Sequence, residues 1–495
     1  MGWIKPIWLI VLVSLISAFF FNELNINSLS ENRLQEGETV ITSDDWSYLS
    51  PAKNYYKTGV WKENIPGNVS YFQRPPGYGI FYYSCLLLSE NHALLLLKIF
   101  QVLLFALSVF CLFKICMYLL NNEKIALMVA VIYGITPFAM GFLYYTLSEG
   151  ITPALLIFYI YFLVYANVAR YKKQQNFLFG LAALVFAYLF IVRPVLGVFG
   201  LLLPVFVYYS YAHWFKKAIV FGAIASSFMV IWQIRNYTIT GEYVGLNPIF
   251  QQDNNSLYRS PSSAFWDFNE SWGVEGADYH SYSLPFWQAA IKGDVSINHI
   301  NKILDAFPKY VIDHFGKDRL TKVFKDYQKA ILIQKPYYEK GLPMPKFKIV
   351  EEEIVVNEFK ELTREFKSEF WFQYHIISPL KVFKVMAFHS NLSMSIFQST
   401  FRGNLIMEFF RFLFFSLHGL CFLALLANLI WFKRNSPLEN TLYIATFIYV
   451  FYLCYFQRGI EERYTLPILS ILLIGLLSLA NKIKSVYSER IQSIT

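Results

Sequence analysis

The sequence predicts an all-α polytopic membrane protein, with about ten membrane-spanning helices and a large α-rich loop domain on the extracytoplasmic side. Three observations carry this reading. Of the 495 residues, 56% are hydrophobic and only 16% are charged, whereas a soluble domain carries roughly a quarter charged residues. The apolar residues gather in blocks near the ~20-residue length that crosses ~30 Å of hydrocarbon, and these blocks lack the polar face of a soluble helix. The basic residues fall in alternate short loops, as the positive-inside bias requires of a chain that crosses repeatedly.

Expected spans are 5–21, 93–113, 125–146, 151–169, 177–192, 195–212, 218–234, 405–431, 441–456 and 464–481. Lys114 to Lys124, Arg170 to Lys173, Lys216-Lys217, Lys433-Arg434 and Lys482 with Lys484 and Arg490 then share one side, the cytoplasmic one. The division is a first transmembrane helix (1–21), a first extracytoplasmic loop (22–92), a run of transmembrane helices (93–234), a large extracytoplasmic loop domain (235–404), C-terminal transmembrane helices (405–481) and a cytoplasmic tail (482–495). The apolar stretch Gly77 to Leu88 follows Pro75-Pro76 and is too short to cross, so it is expected to be juxtamembrane or re-entrant. In the large loop, Ile354, Val355, Phe359, Leu362, Phe366 and Phe370 recur at helical spacing among Glu and Lys and predict an amphipathic helix. The segment Pro379 to Phe397 is expected in the membrane interface.

The net charge of +9 does not indicate nucleic acid, because it sits in topology-setting loops. The five cysteines lie in or beside apolar blocks, without the spacing of a disulfide framework or zinc site. No small-x-small cleavage site follows the first apolar block, which therefore reads as an uncleaved helix. No P-loop, GxSxG or HExxH pattern occurs.

Ionisable residues at outer membrane edges are the chemical candidates, since burial there is costly. The first loop carries Asp44-Asp45-Trp46-Ser47-Tyr48 and then Arg74-Pro75-Pro76-Gly77-Tyr78. A carboxylate held within hydrogen-bond reach takes a proton from an attacking hydroxyl. A carboxylate pair instead holds a hard divalent cation such as Mg²⁺ or Mn²⁺. The plainer alternative is a helix N-cap at Ser43-Asp44-Asp45. Glu149, after Ser148, lies in one of the shortest outer loops, and its plainer alternative is a helix-terminal Glu favoured by the dipole. Arg74, Arg193, Arg235, Arg458 and Arg463 sit at outer span ends, where guanidinium groups suit a lipid phosphate. Snorkelling anchors and pairs with Glu461 and Glu462 are the alternatives.

These pieces, in this order, resemble the GT-C fold membrane glycosyltransferases, in particular the group of dolichyl-phosphate-mannose protein mannosyltransferases and aminoarabinose transferases. The matching residues are Asp44-Asp45-x-x-Tyr48 with Ala52 and Gly59, Arg74-Pro75-Pro76-Gly77-Tyr78, Ser148-Glu149, Arg193-Pro194, Arg235-Asn236-Tyr237 with Gly241 and Val244, and Glu462-Arg463-Tyr464 with Pro467. The match covers roughly 1–245 and 405–481, and the large loop poorly. The resemblance implies a GT-C-like fold and transfer of a sugar from a polyprenyl-phosphate-linked donor. The acceptor would be a glycolipid, glycan or protein at the outer face of the plasma (inner) membrane. It makes Asp44 the catalytic base, with Asp45 and Glu149 as the other acidic site residues. Glu149 assists the base or, with Asp44, holds a divalent cation. Arg74, Arg193, Arg235 and Arg463 contact the donor phosphate, and Tyr48 and Tyr78 shape the site. The alternatives are a surface polysaccharide polymerase or ligase, which would rely on the arginines and histidines of the large loop, and a lipid-linked sugar transporter, which would place its charges near the bilayer midplane.

Overall fold

The protein is described here from a computed structural model covering residues 6–29, 31–36, 38–42, 44–65, 68–70, 74–240, 243, 260–272, 279–340, 349–388, 403–458 and 462–492. The first helix, α1 (Pro6–Ser28), is followed by two short strands, β1 (Leu34–Gln35) and β2 (Thr39–Val40), paired antiparallel. Then come α2 (Asp45–Thr58), a second two-stranded ribbon of β3 (Glu63–Ile65) and β4 (Asn68–Ser70), and α3 (Gly77–Leu88). The bundle continues with α4 (Ala93–Leu120), α5 (Glu123–Ile135), the single turn α6 (Pro137–Met140), α7 (Thr152–Val168), α8 (Lys172–Val192), α9 (Leu202–Ser210) and α10 (Trp214–Thr240). Six helices form the polar insert: α11 (Ser260–Glu270), α12 (Tyr279–Ile291), α13 (Ile297–Ala306), α14 (Lys309–Phe315), α15 (Lys317–Glu339) and α16 (Val350–Glu369). The chain closes with α17 (Ser378–Ala387), α18 (Leu405–Ile430), α19 (Pro437–Tyr452) and α20 (Leu469–Gln492).

Six helical stretches among the described residues are long and apolar enough to cross a membrane: those of α1, α4, α8, α10, α18 and α20. The chain is a multi-pass membrane protein. The other four expected spans are shorter or broken helices. The stretch 125–146 ends as a helix at Ile135, because Thr136 precedes Pro137 and turns extended (φ −70°, ψ 122°). The stretch 195–212 begins as 3₁₀ turns over Pro194–Leu201 before α9. The 441–456 span is α19 with a π-helical end at Leu453–Gln457, and 151–169 is the 17-residue α7. Gly77–Leu88 is a separate 12-residue helix, about 18 Å long and too short to cross, as its length in the sequence implies.

Two apolar cores separate the molecule. One runs through the bundle, where α7 packs on α8 and α4, and α1 on α4 and α5. The other fills the insert with rings from Phe265, Phe268, Trp272, Phe324, Phe359 and Phe366. On α16, Val355, Phe359, Leu362 and Phe366 are buried at the expected helical spacing, while Ile354 falls off that stripe and is exposed. The seam between the cores is closed by Arg458, a non-glycine residue at φ +50°. Its guanidinium donates to the carbonyls of Glu270 (2.7 Å), Ser271 (2.9 Å) and Tyr374 (3.0 Å) and lies 3.8 Å from the Tyr374 ring centre. Arg458 is therefore a strut between insert and bundle rather than a bare span-end anchor. The expected features at Gly241, Val244, Glu461 and 389–397 lie outside the described residues.

Candidate active site

Short-range order in the first loop brings distant acids together. Val40 N donates to the Tyr144 carbonyl at 3.0 Å, and Val40 forms a parallel bridge with Tyr145. This contact docks the chain before α2 against the chain before Ser148-Glu149. α3 meets the end of α8 at Gly77. A Cβ there would lie 2.5 Å from Val192 N, so only glycine permits the approach. Tyr188 Oη donates to the Gly77 carbonyl at 2.9 Å and locks the crossing. Arg74, just before α3, and Arg193, just after α8, are thereby brought to one place.

The result is a cavity of about 220 Å³, whose lining includes Asp44, Tyr48, Arg74, Ser148, Glu149, Arg193, Arg463 and Tyr464. Its ion pairs form a chain. Arg74 Nη2 meets Asp44 Oδ1 at 2.7 Å, and Arg463 Nη2 meets Asp44 Oδ2 at 3.4 Å. Arg463 Nε lies 3.3 Å from Glu149 Oε1, which Arg193 Nη1 also contacts at 2.7 Å. Arg193 Nη1 donates further to Ser148 Oγ at 3.1 Å, and Arg74 Nε to Ser47 Oγ at 3.1 Å. Arg193 stacks 4.9 Å from the Tyr464 ring, and Arg74 sits 5.2 Å from the Tyr48 ring. Three guanidinium groups against two carboxylates leave the cavity formally one unit positive, which favours an anionic ligand.

The two acids differ in setting. Glu149 is 3% exposed. Burial pushes its carboxyl up, but Arg193 and then Arg463 outweigh burial and hold it below the ordinary glutamate range. The Asp44 side chain keeps 26% of its surface accessible, so it is the acid at the open end of the cavity. Asp44 occupies the N-cap position of α2 but makes no side-chain capping bond, which removes the plain capping alternative for this residue.

Asp45 turns the other way. Its carboxylate accepts from Thr42 N (2.7 Å) and Thr42 Oγ1 (2.6 Å), and burial raises its pKa against these bonds and one from Thr146. It does not line the cavity. Tyr78 is fully buried, donates to Gln101 Oε1 at 2.9 Å, and backs Tyr48 edge-on at 5.4 Å between ring centres. Arg235 is not brought in: its guanidinium donates to the Trp61 carbonyl and to Asn236 Oδ1 (2.9 Å) and lies 4.5 Å from the Trp232 ring. Residue-by-residue reasoning missed Ser47, Ser148 and Tyr464 as partners of the arginines. Each stands beside a residue it did single out, and adjacency in sequence was the available signal.

A divalent cation fits this donor set poorly. Both carboxylates face guanidinium groups, and no cluster of three or more His, Cys, Asp or Glu with metal-binding geometry occurs among the described residues.

No protein-family model matches the sequence, and no curated protein does. Two solved structures are similar to it. The crystal structure of ArnT from Cupriavidus metallidurans in the apo state matches 95% of this chain and 76% of that one, at 11% identity and a TM-score of 0.35. The same protein bound to undecaprenyl phosphate matches 95% and 77%, at 12% identity and a TM-score of 0.37.

Proposed function

We propose that this chain is a GT-C-type glycosyltransferase that moves a sugar from a polyprenyl-phosphate donor to an acceptor hydroxyl on the extracytoplasmic side of the plasma (inner) membrane. The observation that carries the reading is the cavity in which Arg74, Arg193 and Arg463 surround Asp44 and Glu149. These residues flank the ends of apolar helices, and the headgroup phosphate of a lipid lies at the ends of the helices that span its bilayer. The basic loops of the sequence map to the opposite ends of those helices, which supports an extracytoplasmic cavity.

In this mechanism the donor phosphate takes the guanidinium groups that the carboxylates hold in the free protein. Because Glu149 is buried between Arg193 and Arg463, it keeps both forks oriented before the donor arrives. As Arg463 and Arg74 turn to the phosphate, Asp44 becomes available to the acceptor. The acceptor oxygen attacks the anomeric carbon, the bond from that carbon to the phosphate oxygen breaks, and the polyprenyl phosphate leaves with the electron pair. The hydroxyl proton passes to Asp44. The departing phosphate needs no proton, so charge stabilisation by the arginines replaces a general acid.

The test is a transfer assay with purified protein and a panel of radiolabelled polyprenyl-phosphate sugars. Asp44→Asn is expected to lower transfer by about 10²–10⁴-fold while the protein stays folded. Full transfer by this variant would sink the assignment of Asp44.

A further inference from the structure

A second, larger cavity lies at the seam of the two cores. It encloses about 670 Å³ between α11, α16 and the tip of α19, and it shares no lining residue with the Asp44 cavity. Lys360, Arg364 and Lys367 project into it from α16, and Arg458 closes its floor. None of the three α16 cations makes an ion pair with a carboxylate among the described residues; Lys367 lies 4.9 Å from the Tyr374 ring instead. The acids present are Asp267 and Glu270. Burial pushes Glu270 up to about 7, despite a bond from Trp266, so near neutrality it carries only part of a charge. Asp267 feels the charges of Lys367 and Lys360, yet four cationic side chains against two carboxyl groups leave the lining with a cationic excess.

Directly beside it runs an apolar groove of about 340 Å³ between α17, α18 and α19. His375 and Tyr455, hydrogen-bonded to one another, line both spaces and form their common wall. Leu380, Phe447 and Phe451 of the groove are exposed on the apolar flank, where hydrocarbon surrounds the bundle. A cationic basin joined to an oily groove is the negative image of one kind of molecule.

We propose that cavity and groove together bind an anionic phospholipid of the surrounding bilayer, separate from the sugar donor. Its phosphate sits among Lys360, Arg364 and Lys367, beside the Arg458 strut, and a chain lies in the groove. Charge complementarity selects the headgroup, and the apolar walls select the chain. Such a lipid touches α11 and α16 of the insert and α17 to α19 of the bundle at once, so it fastens the seam that Arg458 bridges. The site does not depend on the transferase reading.

The experiment offers the full-length protein in detergent equal mole fractions of phosphatidylglycerol, phosphatidylcholine or undecaprenyl phosphate, and counts retained lipid by native mass spectrometry. Phosphatidylglycerol is expected to be retained at least about tenfold better than phosphatidylcholine. Combined Lys360→Ala, Arg364→Ala and Lys367→Ala should abolish that preference; Lys360 and Arg364 are exposed and Lys367 half-buried, and thermal unfolding of the variant checks that the fold is kept. Leu426→Trp, which fills the groove with every charge in place, should lower retention as well. Equal retention of the two phospholipids, or an unchanged preference in the triple variant, would overturn the proposal. Displacement of phosphatidylglycerol by undecaprenyl phosphate, one for one, would also overturn it by giving the seam to the donor.

Discussion

Asp44 presents its carboxylate to Arg74 and Arg463, whereas Asp45 accepts two bonds from Thr42, one from a backbone N–H and one from a hydroxyl. Asparagine keeps the bond from the Thr42 N–H, but its NH2 then faces the Thr42 hydroxyl, which has to accept instead of donating to a charged oxygen. Asp45→Asn is therefore expected to cost about 1–3 kcal/mol of stability and to lose activity through misfolding of the first loop. Glu149→Gln neutralises one partner of a buried cluster and leaves the 8% exposed Arg193 without its counter-ion. Its cost is expected to be on the order of 3 kcal/mol, larger than that of Asp44→Asn at the more open end of the cavity. Thermal unfolding of the three variants side by side checks the order; equal melting temperatures would contradict the division between the open acid and the buried ones. Acid should act on Glu149 in the same direction. Its pKa is depressed in the folded protein, so the stability it contributes is present above the unfolded glutamate value and is lost as the pH falls through the folded one.

Gly77 governs how α3 and α8 approach. With a Cβ placed 2.5 Å from Val192 N and 2.7 Å from the Ile191 carbonyl, Gly77→Ala forces backbone rather than a flexible side chain to move. Arg74 and Arg193 flank this contact, so a shift of the helices separates their guanidinium groups. Gly77→Ala is expected to lower transfer at least tenfold through weaker donor use, since a displacement near 1 Å at a positioned group costs about 10²-fold. Gly222, where an added Cβ meets nothing within 4 Å, is the matched control: Gly222→Ala should leave donor use unchanged. At this scale the helix periods were legible. The stripe through Phe359 and Phe366 is set by local spacing and is buried as the sequence predicts, whereas Ile354, only 100° of turn from Val355, falls within the error of a sequence pattern and is exposed.

Topology is the property of the whole molecule on which the function turns. All five native cysteines are buried, so single cysteines introduced on the surface report without background. A probe at Lys340 should react with a membrane-impermeant thiol reagent in intact cells, and one at Lys433 only after lysis; the reverse pattern would put the cavity on the cytoplasmic side. The sequence by itself determined that the chain spans a membrane, where its polar insert lies and which ends of the helices carry carboxylates and arginines. Those are properties of block length, composition and charge order, each contained in a short window. Only the tertiary structure decided that Asp44 rather than Asp45 faces the cavity, that Arg463 reaches across 419 positions to Asp44, and that Arg235 turns to Trp61 instead. It also decided that the insert meets the bundle along a cationic seam. Neighbouring residues on a helix point in different directions, and long-range ion pairs depend on how helices cross, so neither is written in any local stretch of the chain.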